Sequence, residues 1–187
     1  MLSKVAPKAG NLLISEPFLI DPNFKRSVVL MAEHTEEGTL GFILNQPSQL
    51  LLKDLVPDLW EAAYPIFFGG PVEIDTIHFI HRCYDKLNSG EEIANGIYWG
   101  GNFETLKILV NNNSISPDEV KFFLGYSGWG EDQLAEEIQG NTWIVSDRYH
   151  QDVVFSHDEE ALWRSVIINL GPNYAHVSNF PSDPSLN

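Results

Sequence analysis

The chain has a single cysteine, Cys83, among its 187 residues, which excludes an internal disulfide framework. Positive charge is scarce: 11 Lys and Arg face 26 Asp and Glu, giving a formal net charge of −15. Duplex DNA is held largely by neutralising its phosphates with a basic face. Here only Lys25 and Arg26 are adjacent basic residues, so nucleic acid is not an expected partner. The same acidity works against binding an anionic membrane surface. Long apolar runs are missing too, and none approaches the ~18 residues of a membrane-spanning helix. Residues 1–11 carry Lys4 and Lys8 but no apolar stretch of the signal-peptide kind. These absences suit a cytoplasmic protein with no membrane association. No internal repeat, low-complexity tract or dividing linker interrupts the chain.

What is present is enough for a sizeable core, with 43% hydrophobic and 12% aromatic residues. The length suits one domain, 1–187, with a core over about residues 10–171 and an irregular tail over 172–187. Residues 1–10 read as a loose arm. Leu12 to Ile14 is a short apolar run. Ser27 to Ala32 reads as a buried strand, His34 to Gly38 as a polar hairpin loop, and Thr39 to Leu44 as the returning strand. Asn45-Gln46-Pro47 ends that strand, and Leu50 to Leu55 suits one short helix.

Pro65 to Phe68 is a third strand, cut off by Gly69-Gly70-Pro71, and Ile77 to Tyr84 a fourth. A fifth lies around Ile97 to Trp99. Asn102 is placed to cap a helix with Phe103, Leu106, Leu109 and Val110 on one face. Ser116 to Glu119 is a capping-box pattern predicting one helical turn. Asn141 to Val145 and Val153 to Phe155 are further strand candidates. Ser156 and Glu159 suggest a second capping box, opening a helix with Leu162, Val166 and Leu170 as its buried stripe. Hairpins first and mixed helix and strand later favour an α+β fold.

The stretch that organises this reading is Gly125-Tyr126-Ser127-Gly128-Trp129-Gly130, between the apolar run Val120 to Leu124 and a helix from Glu131 onward. Strand, glycine turn, helix is an arrangement that presents polar groups at the end of a sheet. Trp129 has two roles open to it, the wall of a pocket or a plug in the core. Gly-Tyr-Ser-Gly invites comparison with the nucleophile elbow, but Trp129 stands where the second glycine belongs, and no spacing supports an acid and a His for Ser127. Gly69-Gly70-Pro71 and Gly100-Gly101-Asn102 match neither a P-loop nor a dinucleotide fingerprint. His81 and Cys83 share one strand face while His78 faces away, and two ligands do not make a zinc site. No metal or cofactor is expected. His34, beside Glu33 and Glu36, reads as exposed. Gln133 and Glu137 are spaced i, i+4 and share a helix face.

Taken together, several stretches resemble the YqgE/AlgH family of bacterial proteins. They are Leu12-Leu13-Ile14, Pro17, Asp21 to Phe24, Ser27 to Leu30, Glu33-His34, Gly38, Gly41, Asn45-Gln46-Pro47 and Gly69 to Val72. Gly125 to Gly130, Gln133-Leu134, Glu137 and Trp143 complete the set, and the resemblance spans about residues 10–171. It implies a single α+β domain with a bifurcated, barrel-like β-sheet flanked by helices. It implies no established reaction, and the family's common label of transcriptional regulator is explained by no DNA-binding motif. The family usually has Ala or Ser at Ser127. This chain departs from the usual Gly-Gln-Leu-Glu in having Asp132 before Gln133 and Ala135 after Leu134.

The resulting expectation is a non-enzymatic, regulatory domain binding a small molecule or a protein. Its candidate pocket is formed by Asn45, Gly69, Gly70, Pro71, Tyr126, Ser127, Gly128, Trp129, Gln133 and Glu137. The rival readings are a transcriptional regulator and a hydrolase using Ser127.

Overall fold

The computed structural model describes residues 5–59, 62–175 and 178. Among them run β1 (Leu12–Ser15), β2 (Val28–Thr35), β3 (Gly38–Ile43), β4 (Pro47–Leu51), α1 (Leu52–Leu55), β5 (Pro65–Phe68), β6 (Val72–His81), α2 (Tyr84–Leu87), β7 (Glu91–Ala94) and β8 (Ile97–Trp99). Then follow α3 (Phe103–Asn111), β9 (Val120–Gly130), α4 (Gln133–Gln139), β10 (Trp143–Ser146), α5 (Gln151–Val154), α6 (Glu159–Asn169) and α7 (Pro172–Ala175). The strands form one ten-stranded sheet in the order β10-β1-β2-β3-β9-β6-β8-β7, with β4 and β5 branching from β9. All pairs are antiparallel except β5 with β9. The protein is α+β, with a forked, open sheet and flanking helices.

Both faces of the sheet are covered, and this explains the apolar runs. Along β1, Leu12 and Ile14 enter a core shared with Val154, Leu162, Trp163, Val166 and Ile167 of the late helices. Leu13 points the other way, into a core with Leu134 and Ile138 of α4. Side chains alternate across a strand, so a strand buried on both faces reads as a continuous hydrophobic run. A third core packs Leu106 and Val110 of α3 on Phe79 and Phe122. Asn102 does cap α3, its side chain accepting from Thr105 N at 2.9 Å.

The fork lies at the stretch expected to be a turn. That expectation is corrected: the chain does not turn at Gly125 but runs on as strand to Gly130. Val120 to Tyr126 pair with β6, Phe122 to Leu124 also pair with β5, and Ser127 to Gly130 pair with β3. The glycines serve close backbone approach instead. A Cβ on Gly70 would lie 2.2 Å from the Tyr126 carbonyl carbon, and Gly125 sits at φ +67 with the Val72 and Gly70 carbonyls against it. Only glycine tolerates both the dihedral and the contact.

Other expectations shift. Val153 to Phe155 is not a strand, because Gln151–Val154 is helical. The cap of α6 is Asp158, accepting from Ala161 N, not Ser156. Ser116 to Glu119 forms a turn without helix, although Glu119 does accept from Ser116 N at 2.9 Å. β6 begins at Val72, well before the expected Ile77, and Tyr84 opens α2. β4 was not anticipated. In the arm, Val5 packs on a core cluster and Gly10 is buried. Pro172–Ala175 are helical within the segment read as irregular tail; apart from Ser178, its remaining residues lie outside the described ones. The segment after β10 clasps two distant parts: Tyr149 Oη donates to the Gly10 carbonyl, and Gln151 Nε2 donates to the Asn95 carbonyl between β7 and β8. Among the described residues, no helix is long and apolar enough to cross a membrane.

Candidate functional site

The residues nominated from the sequence divide into three groups. Asn45, Gly69, Gly70 and Ser127 build the fork. Gly69 donates its N–H to Leu124 O at 2.8 Å, and its carbonyl accepts from Ile43 N at 2.9 Å and Ser127 Oγ at 3.0 Å. Asn45 clamps the start of β2, with Oδ1 accepting from Val28 N and Nδ2 donating to Arg26 O, both at 2.9 Å. Pro71 follows directly and leads into β6. Gly69 and Gly70 lie directly against the Tyr126 and Ser127 segment, while the Asn45 side chain is engaged by Val28 and Arg26 instead. Ser127 is fully buried and its hydroxyl donates a hydrogen bond to the Gly69 carbonyl. No His or carboxylate is hydrogen-bonded to it among the described residues, so this geometry supplies no general base.

The second group is a hydrogen-bonded bracket between β9 and α4. Glu137 Oε2 accepts from Trp129 Nε1 at 2.9 Å and from Trp143 Nε1 at 2.7 Å. Its Oε1 accepts from Gln133 Nε2 at 2.9 Å, and Gln133 Oε1 accepts from Gly130 N at 3.0 Å. The i, i+4 spacing of Gln133 and Glu137 makes this chain of contacts possible. The Trp129 ring is 5% exposed and packs on Phe24 and Trp143. Of its two open roles, the core role describes the ring; its residue also borders the cavity described next.

The third group lines space. A cavity of about 410 Å³ is bordered by Tyr126, Gly128, Trp129 and Gly130 with Glu33, Thr35, Glu37, Gly38, Thr39, Leu40 and Val72. A neighbouring cavity of about 450 Å³ is bordered by Pro7, His34, Thr35, Glu36, Gly38, Thr39, Gly130, Glu131, Asp132, Leu134 and Ala135. The two share Thr35, Gly38, Thr39 and Gly130, the place where the β2–β3 hairpin meets the end of β9. His34 Nδ1 and Thr39 Oγ1, 2.6 Å apart, stiffen that hairpin. Neither cavity is lined by Asn45, Gly69, Gly70, Pro71, Ser127, Gln133 or Glu137.

Two histidines and a lysine complete the electrostatic picture. His78 sits among Phe42, Trp99 and Tyr126, and burial holds its imidazole below the usual value while Glu73 pulls it upward. His81 is fully buried and stacked on Tyr98, and burial lowers it as well. Its Nδ1 lies 3.8 Å from Cys83 Sγ, and burial pushes that thiol up to about 11. A thiol held protonated is a poor nucleophile and metal ligand. Among the described residues no group of His, Cys, Asp and Glu is arranged to hold a metal. Lys121 is only 1% exposed, inside the run that had read as simply apolar. A lone charge within such a run was the signal available in the sequence.

Comparison with known proteins agrees with this architecture. The AlgH-like family model, DUF179, matches residues 12–175. The chain belongs to the AlgH-like family. UPF0301 proteins of Chlorobaculum parvum and Cytophaga hutchinsonii are 40% and 41% identical to this AlgH-like chain. The alignments cover 96% of both chains in the first case, and 95% of this chain and 98% of the relative in the second. The solution structure of the AlgH protein from Pseudomonas aeruginosa superposes with a TM-score of 0.72 at 25% identity, covering 96% of this chain and 98% of that one. The crystal structure of protein DIP2367 from Corynebacterium diphtheriae shares the fold, with a TM-score of 0.76 at 23% identity over 95% of each chain.

Proposed function

We propose that this chain is a non-catalytic binding domain of a regulatory kind. Its site is the pair of cavities on the two sides of the sheet where Thr35 to Thr39 meet Gly128 to Asp132. The observation that carries the reading is the shared wall: Thr35, Gly38, Thr39 and Gly130 border both spaces, about 450 and 410 Å³. Each has the size of a small-molecule pocket. The rims carry Glu33, Glu36, Glu37, Glu131 and Asp132, so the favoured occupant is a small molecule or a protein segment bearing positive charge. The net charge of −15 works against duplex DNA as the partner. Ser127, buried against the Gly69 carbonyl, supports a building role over a nucleophilic one.

The test is native mass spectrometry of freshly purified protein against its denatured mass. A non-covalent excess mass, absent from Ala135→Trp or Gly128→Phe, is the expected result. Ala135 is exposed, and a Cβ at Gly128 meets nothing closer than 3.4 Å, so both positions border a cavity and accept the base of a larger side chain. A bare wild-type mass, together with no partner gained from a panel of basic peptides, overturns the reading.

A further inference from the structure

Lys121 lies on β9 and points into the core beneath the late helices. Its Nζ donates to the Ser156 carbonyl at 2.8 Å and sits 4.1 Å from the centre of the Phe67 ring. Among the described residues it makes no ion pair. One neutral carbonyl and one ring face do not compensate a buried ammonium, whose desolvation outweighs a single hydrogen bond. A neutral amine, by contrast, needs only the one bond it makes. Ser156 belongs to the short connector between α5 and α6, so this bond fixes that connector to the sheet.

We propose that Lys121 is a proton-operated latch: the neutral amine ties the α5–α6 connector to β9, and proton uptake releases that connector from the sheet. The groups facing it are few and placed on several elements. Glu159 at the start of α6 acts on the amine through its charge. On the connector, His157 faces Asp118 at 3.5 Å. Beyond the end of β6, Arg82 pairs with Asp152 of α5, donates to the Asp118 carbonyl at 2.9 Å and lies over the Phe155 ring at 4.9 Å. From β5 the Phe67 ring lies against the amine. Arg82 and His157 therefore hold the outer side of the same segment by contacts that do not involve Lys121.

The sign follows from linkage. Burial lowers the amine from 10.5 to about 7, with Glu159 pulling the other way. When the connector opens, the amine regains its ordinary value. Opening therefore takes up a proton between those two pH values, and the opening constant falls roughly tenfold for each pH unit gained. Below about pH 7 both states are protonated and the dependence vanishes.

The experiment is hydrogen exchange of the full chain, read over residues 153–162 and corrected for the intrinsic pH dependence of exchange. Protection there is expected to rise roughly tenfold per pH unit between about pH 7 and about pH 9. Lys121→Met, which keeps the shape and removes the proton, is expected to flatten that slope, and His157→Gln to leave it unchanged. Protection independent of pH in the wild type, or an undiminished slope in Lys121→Met, overturns the latch. Should Lys121→Met not fold, the Lys121 side-chain NMR shift in the wild type decides. A midpoint near 7 supports the latch, and a midpoint near the ordinary 10.5 overturns it.

Discussion

The indoles of Trp129 and Trp143 meet edge to face, 5.7 Å apart at 83°, and donate to the same oxygen of Glu137. One carboxylate of α4 thus satisfies two largely buried donors from two different strands. Glu137→Ala leaves both indole N–H groups without their acceptor. The expected cost is on the order of 3 kcal/mol, read by urea unfolding. Glu137→Gln keeps one acceptor oxygen and is expected to lose about half as much.

The fork predicts a contrast between two glycines. Gly70→Ala drives a methyl into the Tyr126 backbone at 2.2 Å, where nothing can yield. It is expected to abolish folding or remove more than about 4 kcal/mol, an exceptional loss for one substitution. At Gly130 a Cβ would meet nothing within 4 Å. Gly130→Ala is expected to stay within about 0.5 kcal/mol, with thermal unfolding as the measure for both.

Ser127→Ala tests whether the hydroxyl only builds. The Gly69 carbonyl keeps its bond from Ile43 N, so no buried acceptor is orphaned. The expected cost is about 1 kcal/mol. Activity of the wild type towards activated esters that disappears in Ser127→Ala would contradict the building role.

Global stability should respond to alkali in two phases. Lys121 binds fewer protons in the folded chain than in the unfolded one between about 7 and 10.5, so stability rises with pH there. Cys83, raised from 9.0 to about 11 by burial first and by Glu119 second, has the opposite sign, retaining its proton when folded. The expected profile climbs by up to ~1.4 kcal/mol per pH unit from about pH 7 to about pH 9 and then levels. Denaturant midpoints across this range check it, and Cys83→Ala should extend the climb.

How much of this was legible depended on whether local chemistry decided the outcome. Pro65 to Phe68 is bounded by a proline and two glycines, and it appeared at its full extent. Asn102 was readable because a cap is a local hydrogen bond. Gly125 to Gly130 was not, because glycines that serve close approach look the same in sequence as glycines that turn a chain. The partners that decide the matter, Gly70 and Val72, are distant in sequence. Val153 to Phe155 failed for another reason: a short apolar run suits helix and strand alike. In the candidate site, Gln133 and Glu137 were found on a common face, yet Trp129 and Trp143 engage the Glu137 carboxylate, so that face braces the sheet as a bracket. The cavities were anticipated only at Tyr126, Gly128 and Trp129, because the hairpin residues Thr35 to Thr39 that form the rest of the shared wall carry no motif.

β9 touches three strands made long before it, and the β3 residues it covers precede it by nearly half the chain. β1 likewise receives its second neighbour only when β10 exists. During synthesis the early hairpin therefore leaves the ribosome with open, apolar edges and no local segment to cover them. Its nascent form must wait for the C-terminal third, so this is a protein whose assembly is decided after translation of β10 rather than along the way.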